Sequence, residues 1–212
     1  MIDKFMDIFP PVHGGRPVEE GILDFSYSVN PFPLPASVHS AYKSAFGELN
    51  HYPDTDSARL KEALSSIYGY NTSQLLVTNG SAEAFSLIAS AFLHDGGSSI
   101  VFKPGYSDYE HVSRLHGDSV SVIELDPEEG FAPDYEKIRK QAAIVKPRLI
   151  WFCSPHNPTG IVFEPEEINK TAADAQKYGG WIVVDEAYSS FLPEKKKPGH
   201  ADSGNVITVR SL

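Results

Sequence analysis

Cysteine is nearly absent: among 212 residues only Cys153 carries a thiol. A lone thiol excludes an intrachain disulfide framework and suits a reducing cytoplasm. Cys153 follows the apolar run Leu149-Ile150-Trp151-Phe152, so it is expected to be a buried structural group. Basic charge is scarce as well, with 18 lysines and arginines against 28 acids and a formal net charge of −10. That balance argues against nucleic acid or an anionic membrane surface as partner. The one basic run, Lys195-Lys196-Lys197, sits between Pro193 and Pro198 and reads as a solvated loop. No apolar run approaches the roughly 20 residues of a membrane span. Met1-Ile2-Asp3-Lys4 opens without a basic segment leading into an apolar stretch, so no signal peptide is expected. Metal-ligand spacing is missing too. His111 and His116 are five positions apart and would not share a helix face, so no metal site is expected. Finally, no glycine fingerprint of the GxGxxG kind is present, which counts against a nicotinamide enzyme.

What is present is a chain long enough for one sizeable core and a small appendage. Residues 1–33 are broken by Pro10, Pro11, Gly14, Gly15, Pro17, Pro31 and Pro33, and are expected to form an extended arm. Helices are predicted over 35–47 and 55–68. In the second, Leu60, Leu64 and Ile67 share a face, and Asp56 and Ser57 are placed to cap the start.

From residue 74 short apolar strands alternate with amphipathic helices. Strands are predicted at 75–77, 99–102, 120–123, 149–153, 181–184 and 206–209. Helices are predicted at 82–92, 106–115, 134–143 and 164–177. Such alternation implies an α/β fold with a mostly parallel sheet covered by helices on both faces. Ligands bind beyond the carboxyl ends of the strands in such sheets. The unusual motifs all fall at those ends.

Asn79-Gly80-Ser81-Ala82-Glu83 opens a helix, and its first N–H groups together with the helix dipole suit a phosphate. By itself this signal is weak, since a plain helix cap explains most sequences like it. Pro104-Gly105-Tyr106 leaves the next strand and offers an aromatic ring at the same sheet edge, either for a flat heterocycle or simply to pack on its own helix. Ser154-Pro155-His156-Asn157-Pro158-Thr159-Gly160 is more specific. Two prolines and a glycine stiffen the segment around one asparagine, and the residue before a proline is held out of the helical region. Asp185, in Val184-Asp185-Glu186-Ala187-Tyr188, ends an apolar strand, and a carboxylate buried there needs a cationic partner or a helix to cap.

The ordered set of these motifs, closing with Arg210-Ser211-Leu212, resembles the class I/II aminotransferases, pyridoxal-phosphate enzymes of fold type I. Within them it looks most like the branch holding histidinol-phosphate aminotransferase and threonine-phosphate decarboxylase. His13-Gly14-Gly15, Leu23-Asp24-Phe25-Ser26 and Asn30-Pro31 are similar to the opening of the decarboxylase, and Tyr52-Pro53-Asp54 is found in both. The resemblance implies pyridoxal 5'-phosphate as cofactor, with residues 34–212 as its large binding domain and the small C-terminal domain absent. Ser81, Ala82 and Ser211 would hold the phosphate and Tyr106 would stack on the ring. Asn157 and Tyr188 would bond its phenolic oxygen, and Asp185 would pair with its nitrogen. Tyr52 would reach the phosphate of a neighbouring subunit, implying a homodimer, and His13 and Asn30 would lie near an amino-acid or phospho-amino-acid substrate.

The main expectation is a decarboxylase-like enzyme of corrinoid biosynthesis, with a histidinol-phosphate or other aminotransferase as the alternative. A short non-catalytic protein that binds the cofactor or a partner is a further alternative. In the family a lysine follows Arg-Ser-Leu within two residues and bonds to the cofactor. Here no lysine occupies an equivalent place, so no catalytic residue is assigned, and a truncated signature is expected to be inactive alone. His156 stands where the family commonly has asparagine.

Overall fold

In a computed structural model, residues 14, 19–26, 28, 30–193 and 204–212 are described. His13, most of the expected arm before residue 19 and the Lys195-Lys196-Lys197 run lie outside them. The described residues form two compact units that divide between Val77 and Thr78.

The first unit contains α1 (Ala36–Ala45), continued by a 3-10 turn at Phe46–Glu48, and α2 (Ala58–Tyr68). Both helices were expected, but the cap of α2 differs from expectation. Ser57 sits in the left-handed region (φ 50°) and its hydroxyl caps nothing. Asp54 replaces it: its Oδ2 accepts from Ala58 N–H at 2.7 Å and its Oδ1 from Asp56 N–H at 3.1 Å. A charged acceptor satisfies the open donors of a helix start better than a hydroxyl does. The strand predicted at 75–77 does not form either. Leu75 is extended (φ −105°, ψ 130°), yet the segment joins no ladder and Leu76 is 73% exposed. Apolar β-formers supply an extended backbone, but a strand exists only when a neighbour takes its N–H and C=O groups.

The second unit carries the sheet. Its elements are α3 (Gly80–Leu93), β1 (Ser98–Lys103), α4 (Ser107–His116), β2 (Ser119–Glu124), α5 (Tyr135–Val145), β3 (Leu149–Cys153), α6 (Pro165–Gln176), β4 (Trp181–Asp185) and β5 (Val206–Val209). Asp134 caps α5 by accepting from Lys137 N–H at 2.9 Å, and Pro165 with Glu166 and Glu167 opens α6 as the helix dipole favours. The five strands pair in parallel in the order β2-β1-β3-β4-β5.

Strand alternation sorts the core into two layers. Ile100, Phe102, Ile150, Phe152, Ile182 and Val184 face Ile138 and Ala142 of α5 and Ile168, Ala172 and Ala175 of α6. Val101, Leu149, Trp151, Cys153 and Val183 face Phe85, Ala89 and Leu93 of α3 and Tyr109 and Val112 of α4. Helices therefore cover both faces, as the alternating pattern implies. The chain turns from β1 outward to β2 and then returns to β3 on the other side of β1. That reversal opens a crevice at the carboxyl ends of β1 and β3, where ligands of open parallel sheets bind.

Candidate functional site

β1 leads through a cis Lys103–Pro104 bond into Gly105 and Tyr106, the residue that starts α4. Only glycine fits this turn, because a Cβ at position 105 would lie 2.4 Å from the Phe102 carbonyl oxygen. The half-buried Tyr106 ring packs edge-on against Phe85 and Tyr109, with centroids 6.4 and 5.5 Å away. Burial, then the neighbouring Asp108 carboxylate, pushes its phenol well above the ordinary range. Asp185 and Tyr188 add to that rise, which puts all three groups within electrostatic reach of one another.

β3 leads into the asparagine motif. Ser154 is buried; its N–H donates to the Asp185 carbonyl at 2.8 Å and its Oγ accepts from Phe163 N–H at 3.1 Å. The loop is closed by His156 N–H to the Ile161 carbonyl (2.8 Å) and Gly160 N–H to the His156 carbonyl (2.7 Å). Both prolines of the motif follow cis bonds, and Gly160 takes a left-handed φ of 75°. The His156 ring is 4% exposed, lies edge-on to Phe163 and has Nδ1 2.9 Å from Thr159 Oγ1. Burial holds this imidazole neutral down to about pH 4. Asn157 is half-buried at the loop's turn, and its backbone N–H is directed at the Cys153 thiol. Cys153 is buried as expected, and burial pushes its thiol up to about 12.

β4 ends in two adjacent acids with different fates. Glu186 is neutralised: Arg210, just beyond β5, places Nη2 2.6 Å and Nε 2.7 Å from its Oε2. Asp185, 5% exposed, receives only neutral donors. The Tyr109 hydroxyl donates to Oδ2 at 2.6 Å and the Ala187 N–H donates to Oδ1 at 2.9 Å. Burial raises this carboxyl above its ordinary range, and those two bonds pull it partly back. Among the described residues no cation pairs with Asp185. A buried carboxylate that lacks a cation, near the half-buried Tyr106 ring, suits a positively charged heteroaromatic ring.

Ser81 and Ala82 lie in the first turn of α3, whose N-cap Asn79 makes no side-chain cap bond. Gly80 opens the helix at φ 77°, with open space where a Cβ would be, so the backbone angle alone selects glycine. One turn further on, Phe85 packs against Tyr106, Tyr109 and Trp151, which ties this helix start to the carboxyl end of β1. Tyr188 is half-buried after β4, and Ser211 is exposed after Arg210. Tyr52, fully exposed, and Asn30, whose Oδ1 accepts from Phe32 N–H at 3.0 Å, belong to the other compact unit. His13 is outside the described residues.

Sequence reasoning did not pick out Tyr109 or the Glu186–Arg210 pair. Tyr109 was detectable by spacing, three residues after Tyr106 on the helix that leaves β1. Among the described residues there is no group of three metal-ligating side chains and no helix long and apolar enough to cross a membrane.

Residues 20–212 match the family model for aminotransferase class I and II. The chain belongs to this family. A histidinol-phosphate aminotransferase 2 of Archaeoglobus fulgidus is 30% identical over 92% of the chain and 54% of that protein. A histidinol-phosphate aminotransferase of Desulfitobacterium hafniense is 34% identical over 78% of the chain and 46% of the relative. The chain spans about half the length of the curated relatives it matches. Among solved structures, an aspartate aminotransferase variant of Thermus thermophilus matches with TM-score 0.78 and 25% identity, over 98% of the chain and 56% of that structure.

Two further structures share the fold. One, a histidinol-phosphate aminotransferase of Sinorhizobium meliloti in complex with pyridoxal-5'-phosphate, has TM-score 0.74 and 21% identity over 84% of the chain and 48% of that structure. The other, an L-threonine-O-3-phosphate decarboxylase of Porphyromonas gingivalis, has TM-score 0.67 and 24% identity over 84% and 53%. The decarboxylase likeness thus rests on fold alone, whereas the similar curated relatives carry the aminotransferase name. The comparisons therefore back the aminotransferase alternative better than the decarboxylase-like reading.

Proposed function

We propose that this class I/II aminotransferase chain provides the cofactor-holding part of a pyridoxal-phosphate enzyme of the histidinol-phosphate aminotransferase type. The observation that carries the reading is Asp185, buried near the Tyr106 ring with two neutral donors and, among the described residues, no cation. The names of the similar relatives support the substrate class. When bound, the cofactor supplies an electron sink for a carbanion formed on an amino substrate.

The chain's own residues have defined tasks in this proposal. Asp185 retains the proton on the ring nitrogen; at ~4 Å and an effective dielectric near 20 that pairing is worth about 4 kcal/mol before desolvation. Tyr106 covers one ring face and excludes water. The Asn157 amide and Tyr188 hydroxyl hold the phenolic oxygen. Ser81, Ala82 and Ser211 hold the phosphate at the start of α3, where the Asn79 side chain makes no cap bond and Glu83 Oε2 accepts from the Asn79 N–H at 2.5 Å. Residues 34–212 are proposed as the large domain, with His13 and Asn30 near the substrate. Tyr52 would reach a second copy's phosphate. The exposed apolar side chains Val38, Tyr42, Phe46 and Leu49 support such a homodimer. The buried single thiol fits the cytoplasm.

The direct test is noncovalent binding of pyridoxal phosphate to the chain, followed by fluorescence, for wild type and Asp185→Asn. The variant is expected to bind at least roughly tenfold more weakly, a loss of about 1.4 kcal/mol. Equal affinity would end the assignment of Asp185. An enzyme that contains this chain should transfer the amino group of histidinol phosphate to 2-oxoglutarate and release no carbon dioxide from threonine phosphate.

A further inference from the structure

The same site contains a buried hydroxyl with no role in the cofactor contacts assigned above. Tyr109 lies on α4, which packs against the sheet face bearing Trp151 and Cys153. Its ring stacks on Trp151 (centroids 5.5 Å apart, planes 14° apart) and meets Phe85 edge-on at 5.1 Å. That packing brings the hydroxyl to Asp185 Oδ2 at 2.6 Å, with the Cys153 thiol also within hydrogen-bonding reach. We propose that Tyr109 is a positioning residue, whose hydroxyl fixes Asp185 in one orientation and keeps its buried carboxylate charged for the cation it is to hold. This deepens the reading of Asp185 given above and depends on it.

Asp185 has two oxygens; Ala187 N–H serves Oδ1 and Tyr109 serves Oδ2. The groups facing it are Tyr109 and Tyr106 from the α4 side, Cys153 from β3 and the Ala187 N–H from its own loop. The Arg210 cation on the β5 side is paired with Glu186. None of the groups bonded to Asp185 carries positive charge, so its ionised form rests on two hydrogen bonds against the cost of burial. With one removed, the acid takes up a proton more readily, and a neutral acid does not hold a cation. Burial, then the Cys153 and Asp185 charges, also raises the Tyr109 phenol far above its ordinary range. The hydroxyl therefore remains a donor at every working pH, a fixed support and not a proton carrier.

Tyr109→Phe removes the donor and keeps the ring stack. The Asp185 carboxyl carbon is followed by NMR across a pH titration with no cofactor present, and pyridoxal phosphate binding is measured separately from pH 6 to 9. The variant's Asp185 should titrate higher by about one pH unit, a tenfold weaker acid. Binding should weaken most at the acidic end and recover as pH rises. An unchanged titration would overturn the role of Tyr109 whatever the binding shows. A wild type that does not bind pyridoxal phosphate would instead defeat the underlying reading. Should the variant not fold, the wild type decides: a slowly exchanging Tyr109 hydroxyl proton that disappears on Asp185→Ala, which removes the acceptor, supports the proposal, and one that exchanges rapidly or survives that change refutes it.

Discussion

Acid should weaken this fold through His156, and the size of the effect can be worked out. The ring is buried against Phe163, with Nδ1 beside Thr159 Oγ1 and no carboxylate among its partners. Burial lowers it from its ordinary 6.5 to about 4. Between those values the unfolded chain binds a proton that the folded chain refuses, so folding stability is fully present above pH 6.5 and drains away toward about pH 4. Each pH unit is worth about 1.4 kcal/mol. The window therefore holds about 3 kcal/mol at most, and about 2 once residual solvent screening is discounted. Urea unfolding of wild type and His156→Asn at pH 7, 6, 5 and 4.5 isolates the contribution, because the other titrating groups cancel in the difference. The variant loses ring packing at pH 7, but its deficit should shrink by about 2 kcal/mol as pH falls to 4.5. A deficit constant across that range would refute the argument. The loop closed by His156 carries Asn157, so cofactor binding should weaken over the same interval.

Asp185 has the opposite sign. Its carboxyl is raised above the usual 3.8 by burial, so the folded chain holds the proton longer than the unfolded one and stability falls as pH rises through that window. Asp185→Asn should therefore melt higher than wild type near neutral pH while losing the cofactor, and a lower melting temperature would count against a strained acid. Arg210→Met leaves Glu186 buried without its cation and should cost about 3 kcal/mol in urea unfolding. Adding Glu186→Gln should restore most of it; a double variant as unstable as the single would show that the arginine acts through packing.

The alternation of strands and helices was legible because it is a local property. Residues 149–153 and 206–209 form strands with the bounds their apolar runs predict, and the period-2 burial follows from the pleat. The strand-end motifs were legible for a related reason. Glycines and prolines that interrupt regular structure, as at Gly105 and Gly160, announce a turn by their own backbone chemistry. Residues 75–77 mark the limit of that reasoning, since their composition is strand-like but pairing needs a partner the composition does not name. The cap of α2 passed from Ser57 to Asp54 because the backbone angle at Ser57 was settled by the turn before it.

Strand order is what only the tertiary structure decided. It set β3 beside β4 and β4 beside β5, bringing Cys153 level with Asp185 and Asp185 level with Val209. From that register follow the Arg210–Glu186 pair, which among the described residues leaves Asp185 without a cation, and the bond from Tyr109 across 76 positions of sequence. Residue types and their spacing specify which groups could be ionised, stacked or turned. Which acid is neutralised and which is left for a ligand depends on distances between chain segments, and those arise only when the sheet has assembled.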